Sequence, residues 1–556
     1  MFRKRLSRVY DDPQVVDHLN QRLIAMVEHY RQLVPPLKQQ TWDQTDTLLI
    51  TYGDSILAEN HSPLQTFNTF ARRYLQDQIT FIHLLPFYPW SSDDGFAVKD
   101  FRQINETQGT WDDITALSRN FRLVFDAVIN HVSESSIYME GYRNGDPQYQ
   151  NFFIALDPET DTSSVLRTRN LPLLHDYETH DSIKWLWTTF SRDQLDLNFR
   201  NPQVLLEIID VLLGYLQRGA AMIRLDAIPY LWKELGTSCA HLPQTHELIK
   251  LIRDIYQATS PGAMLLTETN VPHHENIVYF GEGGDEAQMI YNFSLAPLIA
   301  HAILRQDSTV LSQWSSQIAF ISESATYLNI TATHDGIGMR PTEGLLTESE
   351  RTWMCDLACE RGGDITGKRN SDGTVSVYEL NITYFDFLND PASVESLDLQ
   401  VARFMVAQAI TLSFIGIPGI YIHSLLGSRN YTKGVKATGR ARTINREQLT
   451  LPDLEASLQD PDSLRAKVYR TYQQLLTVRA QEPCFHPDAS QTIINLGIRV
   501  FALQRQNQDR TLTAIHSLAD QPLQVTLPQT GHDLLTDQPV GPEVHLAPYQ
   551  TCWILH

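Results

Sequence analysis

Carboxylates, imidazoles and one arginine stand at the ends of successive apolar runs. Asp126, Asn130 and His131 close one run, and Arg224 and Asp226 close the next; Glu268 follows a third, and His334 and Asp335 a fourth. Carboxyl and imidazole groups are the side chains that move protons, and a carboxylate can also attack as a nucleophile. Taken singly, each is more simply a solvated strand end. Their recurrence at the same end of run after run is hard to obtain from unrelated termini, and it marks a convergent site.

The elements that must hold these groups follow from hydrophobic pattern. Strands buried on both faces read as short apolar runs, each followed by a helical period. Eight such runs occur, at Thr47–Tyr52, Phe81–Pro86, Leu123–Ile129, Ala221–Leu225, Met264–Thr267, Gln288–Asn292, Tyr327–Ala332 and Phe414–Ile422. Amphipathic segments lie between many of them, among them Pro202–Arg218, Gln244–Thr259 and Leu397–Ala409. Eightfold strand–helix alternation predicts an α/β fold, a closed (β/α)8 (TIM) barrel, whose active sites form at the carboxyl ends of the strands. Two connections are too long for ordinary loops and predict inserted domains after strands 3 and 7. Beyond a helix at Ser463–Ala480, the alternating segments Ile493–Gln504, Thr511–Ser517 and Leu523–Leu527 predict a C-terminal antiparallel β domain. The expected division is barrel over 1–131, 202–335 and 397–482, insert B over 132–201, insert B′ over 336–396, and the β domain over 483–556.

Composition narrows the function class. With 44 Lys+Arg against 65 Asp+Glu, the net charge of −21 repels polyanions, so nucleic acid is not an expected partner. No run of eighteen apolar residues occurs, and the basic start Met-Phe-Arg-Lys-Arg-Leu is followed by no apolar signal region, so a cytoplasmic protein without membrane partners is expected. Five scattered cysteines make no disulfide framework. Cys355 and Cys359 read as a helical pair of buried thiols rather than a zinc knuckle.

The ordered set Asp126-Ala-Val-Ile-Asn130-His131, Gln194-Leu-Asp-Leu197, Arg224-Leu-Asp226-Ala227, isolated Glu268 and His334-Asp335 resembles the signature regions of the α-amylase superfamily (glycoside hydrolase family 13). The resemblance implies roles by position. Asp226 is the expected nucleophile, Glu268 the general acid/base and Asp335 the transition-state stabiliser, in a double displacement that needs the first two carboxyls about 5–5.5 Å apart. Arg224 would keep Asp226 ionised by charge pairing. Asp126 would support the site structurally. His131, His334 and Gln194 belong to the expected sugar site; Asp93 and Arg442 would grip the far side of the glucose ring, and Phe96 and Phe190 would wall it.

Further segments resemble sucrose phosphorylase and its relatives acting on glucosylglycerol, glucosylglycerate and sucrose 6-phosphate: Lys233-Glu-Leu-Gly-Thr-Ser-Cys239, Thr333-His-Asp-Gly-Ile-Gly338, Gly416-Ile-Pro-Gly-Ile-Tyr421 and Arg442-Thr-Ile-Asn-Arg446. That resemblance implies a phosphate site built from Arg167 or Arg169 and from Tyr378. Three departures from strict sucrose phosphorylase fall where the leaving group would sit: Glu379 beside the tyrosine, Phe101, and His423-Ser-Leu-Leu-Gly-Ser-Arg429. They put fructose recognition in doubt, and the last looks more like the glucosylglycerate or glucosylglycerol branch. Glucosylglycerate is the favoured substrate, with sucrose, sucrose 6-phosphate and glucosylglycerol as alternatives, and Arg429 would be the cation for a glycerate carboxylate. The expected protein is a retaining α-glucoside phosphorylase, monomer or homodimer, taking a small α-glucoside and inorganic phosphate, with no cofactor and no metal. An α-glucosidase or transglucosidase shares the same acids and is the rival reading. A catalytically dead, amylase-like binding subunit is disfavoured because all three acids are present.

Overall fold

The computed structural model describes residues 1–35, 37, 42–370 and 374–556. Eight parallel strands close into a barrel: β1 (Leu48–Thr51), β2 (Phe81–Leu84), β3 (Arg122–Ala127), β4 (Ala220–Leu225), β5 (Met264–Thr267), β6 (Met289–Tyr291), β7 (Thr326–Ile330) and β8 (Ile417–Tyr421). Each neighbours the next in chain order, and β8 pairs with β1. Apart from Arg122, half-buried at the start of β3, every strand residue is buried, because helices cover the outside while side chains fill the inside. Helices begin where the sequence supplies caps. The helix Pro202–Gln217 starts on Asn201, whose side chain accepts from the Gln203 N–H, with proline at its first position.

Register carries the polar residues to one level. Arg224 on β4 lies opposite Asp126 on β3, and Leu225 opposite Ala127 on one side and Thr267 on the other. Backbone bonding continues one step past the strands: the Asp226 N–H donates to the Ala127 carbonyl and the Glu268 N–H to the Leu225 carbonyl, both at 3.1 Å. The strand ends therefore present Asp226 and Glu268 side by side.

The long connection after β3 forms a three-stranded sheet (Ala155–Leu156, Ile183–Trp187, Leu174–Glu178) and a two-stranded ladder pairing His131–Ser133 with Gln194–Asp196. The connection after β7 holds the helix Glu348–Glu360 and a sheet of Ile337–Gly338, Val375–Asn381 and Asp364–Arg369. The C-terminal region is a six-stranded antiparallel sheet facing a two-stranded one (Leu523–Thr526 with Glu543–Leu546), with Val500, Ile515, Val525 and Leu546 between them.

Two expectations are corrected. Ile493–Gln504 is not one strand but two, Ser490–Ile494 and Val500–Asn507, antiparallel across a turn in which Gly497 adopts φ 102°. Only glycine takes that conformation cheaply, so the apolar run reverses there. Cys355 is buried, but Cys359 is exposed on the same helix, so the two are not a buried pair.

The first insert is pinned to the barrel by a buried charge. Lys233, on the loop after β4, places Nζ 2.7 Å from Asp196 and 2.8 Å from the side-chain amide oxygen Oδ1 of Asn130, with side-chain exposures of 5% for Lys233 and none for Asp196. Removing one member of such a pair strands the other in a dry environment. Lys233→Met should therefore lower stability by about 3–5 kcal/mol, and Lys233→Met/Asp196→Asn by less, measured as shifts in the urea midpoint of the first unfolding transition.

Candidate active site

One pocket at the carboxyl end of the barrel, about 520 Å³ with its mouth included, gathers most of the expected residues. Asp226, Glu268 and Asp335 line it together with His131, His334, Gln194, Asp93, Phe96, Phe190 and Arg442, and with Arg169 and Tyr378 from the two inserts.

The floor is organised by Arg224, which is 3% exposed. Its Nη1 lies 2.8 Å from Asp126 and 2.6 Å from Asp226, and its Nη2 lies 3.7 Å from Glu268. Arg224 is thus beneath the pocket rather than on its wall, and it acts on the carboxylates instead of on a sugar. His83 on β2 places Nε2 3.1 Å from Asp126 from the other side. One cation faces three carboxyls, so it cannot offset them all. Burial raises both Asp226 and Glu268, with Arg224 opposing. Arg224 is more than 1 Å nearer to Asp226 than to Glu268, so its charge favours the ionised form of Asp226 more than that of Glu268.

Ala227, immediately after the expected nucleophile, is left-handed (φ 47°), and its N–H donates to Glu268 Oε2 at 3.1 Å. Asn270, two residues past Glu268, is also left-handed (φ 47°) and lines the pocket. Strained non-glycine backbone persists where surrounding structure enforces it, and here both cases flank the acids.

Asp335 has the opposite electrostatics. Against the desolvation of burial, Arg442 at 2.9 Å, His334 at 3.4 Å and Arg446 at 3.4 Å hold its carboxyl well below the usual carboxylate range. Burial pushes His334 well below 6.5, and it is neutral, stacked on Phe96 with ring centres 4.9 Å apart. Burial likewise lowers His131, whose Nε2 donates to the Phe96 carbonyl at 2.9 Å; Gln194 Nε2 donates to the same oxygen at 3.1 Å. Phe96 is therefore held by backbone and ring at once.

Three expected acceptor residues lie elsewhere. Arg167 donates to the Leu171 carbonyl within its own loop and does not line the pocket, whereas Arg169 does. Glu379 is 1% exposed and grips Arg442 with both oxygens, at 2.8 and 3.0 Å. It positions Arg442 rather than meeting a ligand. Arg429 donates to Asp386 at 2.9 Å and to Gln400 at 2.7 Å, outside the pocket, so it is not a free cation for a carboxylate. Its sequence neighbourhood carried no sign of the buried Asp386, a long-range partner. Three pocket residues escaped sequence reasoning: Tyr230, Thr269 and Asn270. Their only signal was proximity, four residues after Asp226 and one and two after Glu268. No cluster of three or more His, Cys, Asp or Glu able to hold a metal occurs among the described residues, and no helix of theirs is long and apolar enough to cross a membrane.

A barrel carrying two buried, cation-bridged carboxyls and a third held ionised is the arrangement of a glycosidase-type enzyme. Residues 72–335 match the catalytic domain of α-amylase, and the chain belongs to the α-amylase family, in its sucrose phosphorylase-like branch. It is 43% identical over 99% of its length to the glucosylglycerate phosphorylase of Escherichia coli (strain K12), covering 98% of that protein. It is 46% identical to the glucosylglycerate phosphorylase of Allomeiothermus silvanus over 92% of each chain. The crystal structure of sucrose 6F-phosphate phosphorylase from Thermoanaerobacter thermosaccharolyticum superposes with a TM-score of 0.76 at 24% identity, over 92% of this chain and all of that one, a likeness of fold.

The raised Glu268 carboxyl has a pH consequence. A general acid must enter the first step protonated, so activity on an unactivated glucoside should persist above the ordinary carboxylate range and fall along an alkaline limb. That limb should vanish for glucosyl fluoride, whose leaving group needs no proton. Asp226→Ala should abolish turnover of both donors, while Glu268→Gln retains enzyme glucosylation by the fluoride alone. Initial rates against pH with the two donors test all three statements.

Proposed function

We propose that the chain is a retaining glucosylglycerate phosphorylase, converting 2-O-α-glucosylglycerate and phosphate into α-glucose 1-phosphate and glycerate. Asp226 attacks the anomeric carbon as Glu268 passes its proton to the glycosidic oxygen, and glycerate leaves. An oxygen of hydrogen phosphate then attacks the β-glucosyl-enzyme, its proton returns to Glu268, and Asp226 departs. Two inversions retain the α configuration. Asp335, kept anionic by Arg442, Arg446 and His334, faces the positive charge that develops on the ring.

The observation that carries the phosphate assignment is Arg169. It lines the pocket with Asp226 and Glu268, packs over Phe190 and Tyr378 with its guanidinium carbon 5.7 and 5.1 Å from their ring centres, and pairs with no carboxylate among the described residues. In a chain of net charge −21, a half-buried arginine without an acid beside two catalytic acids is a site for an anion. Both glycerate and phosphate are anions, so one guanidinium serves the leaving group and then the acceptor. The identity with glucosylglycerate phosphorylases over nearly the whole chain supports that choice of aglycone.

Arg169→Ala and Tyr378→Phe should raise the KM for phosphate about tenfold to a hundredfold, as expected for a lost charged hydrogen bond of about 1.5–3 kcal/mol. Glucosylation by glucosyl fluoride should change little, and free glucose should rise as a fraction of product. Arg167→Ala should behave as wild type. The readout is the ratio of glucose 1-phosphate to glucose across a phosphate titration. If wild type forms only glucose at saturating phosphate, the protein is a glucosidase instead.

A further inference from the structure

Asp93, Asp94 and Gly95 are three consecutive left-handed residues, with φ 53°, 50° and 115°. For two aspartates this is strained backbone, which persists only where surrounding contacts enforce it. The turn sends the adjacent carboxylates to opposite sides. Asp93 lines the catalytic pocket, and Asp94 lines a second hollow of about 1010 Å³, its mouth included.

The partition between the two spaces is a guanidinium. Arg446, whose side chain is 6% exposed, places Nη1 2.6 Å from Asp94 and Nη2 3.4 Å from Asp335, while Nε donates to the His334 carbonyl at 3.1 Å. It therefore lines the second hollow with one edge and braces the catalytic carboxylate with the other. Arg440 adds a second contact to Asp94 at 3.3 Å.

The hollow has the furnishing of a carbohydrate site. The aromatic residues Trp90 and Tyr431, both half-buried, line it, and Asp54 and Gln448 add a hydrogen-bonded carboxylate–amide pair. Two further lining atoms, the Tyr52 hydroxyl and Gln108 Oε1, have no hydrogen-bond partner among the described residues, although Tyr52 is only 7% exposed and Gln108 only 5%. Buried polar atoms left unmatched by protein are costly unless something else satisfies them.

We propose that this hollow is an occluded second pyranose subsite, and that the Asp94–Arg446 pair is the partition that limits the transferred group to a single glucosyl unit. The inference rests on the retaining glucosyl-transfer reading, in which Asp93 and Arg442 face the end of the ring remote from the scissile bond. A second sugar linked at that end would have to pass through the space that Arg446 and Asp94 fill.

The test compares α-glucosyl fluoride with α-maltosyl fluoride by fluoride release, with the sugar phosphates identified by mass. Wild type should prefer the glucosyl donor by at least about a hundredfold in kcat/KM. In Arg446→Ala and Asp94→Ala/Arg446→Ala, glucosyl turnover should fall, because Asp335 loses a brace. Maltosyl turnover should rise, with maltosyl phosphate as product, narrowing the preference by about tenfold or more. If Arg446→Ala does not fold, Asp94→Ala, which leaves the bonds of Arg446 to Asp335 and the His334 carbonyl in place, must narrow the preference in the same direction. A wild type that accepts both donors equally overturns the proposal. So do folded variants, matched in melting temperature and active on glucosyl fluoride, that keep the wild-type preference. Release of glucose in place of glucose 1-phosphate would sink the phosphorylase reading while leaving this comparison intact.

Discussion

Arg224 is the group on which the site turns. A guanidinium with almost no solvent contact must be compensated, and here Asp126, Asp226 and Glu268 do so together. The compensation is unequal by geometry. Asp126, fully buried, is also touched by His83, and the remaining influence of Arg224 falls on Asp226 and Glu268. Arg224 stands nearer to Asp226 than to Glu268, so it favours the ionised form of Asp226 more strongly, which suits the proposed roles of nucleophile and general acid in a double displacement. The barrel's register makes this possible, because Arg224 and Asp126 stand opposite one another on adjacent strands.

A second set of charges governs the far end of the pocket. Arg442 and Arg446 converge on Asp335, and each is held from behind by an acid, Glu379 for Arg442 and Asp94 for Arg446. Asp335 is thus kept ionised by cations that are themselves immobilised, so little reorganisation is needed as charge develops on the sugar. The acids behind the arginines come from the turn after β2 and from the insert after β7. Both must be folded before the catalytic carboxylate has its proper electrostatics.

The mouth of the pocket differs in having a cation, Arg169, that pairs with no acid among the described residues. A long-range field of −21 opposes anions at a distance, yet screening leaves that field weak beyond about 10 Å, while Arg169 acts at contact. Packing over Phe190 and Tyr378 holds the guanidinium plane without neutralising it. The insert after β3 and the insert after β7 meet at this residue, where Arg169 packs over Tyr378 at the pocket.

Strand number and strand order were legible in the sequence, because parallel strands buried on both faces leave unbroken apolar runs. That Asp226, Glu268 and Asp335 stand together at the strand ends was also legible, from the polar residues that close those runs; the roles proposed for them rest on the family resemblance. The phrase Ile493–Gln504 was misread because a single glycine, Gly497, reverses the chain without interrupting the apolar pattern. Partner choice was not legible at all. Arg167, Arg169, Arg429, Arg442 and Arg446 are five arginines of similar appearance in sequence. One bonds its own loop, one faces the pocket bare, one is bound by Asp386, and two brace Asp335. Local pattern determined where the strands end and which acids stand there. Only the tertiary structure decided which cations are neutralised and which remain available, because an ion pair depends on distance in space between residues that the chain places tens to hundreds of positions apart.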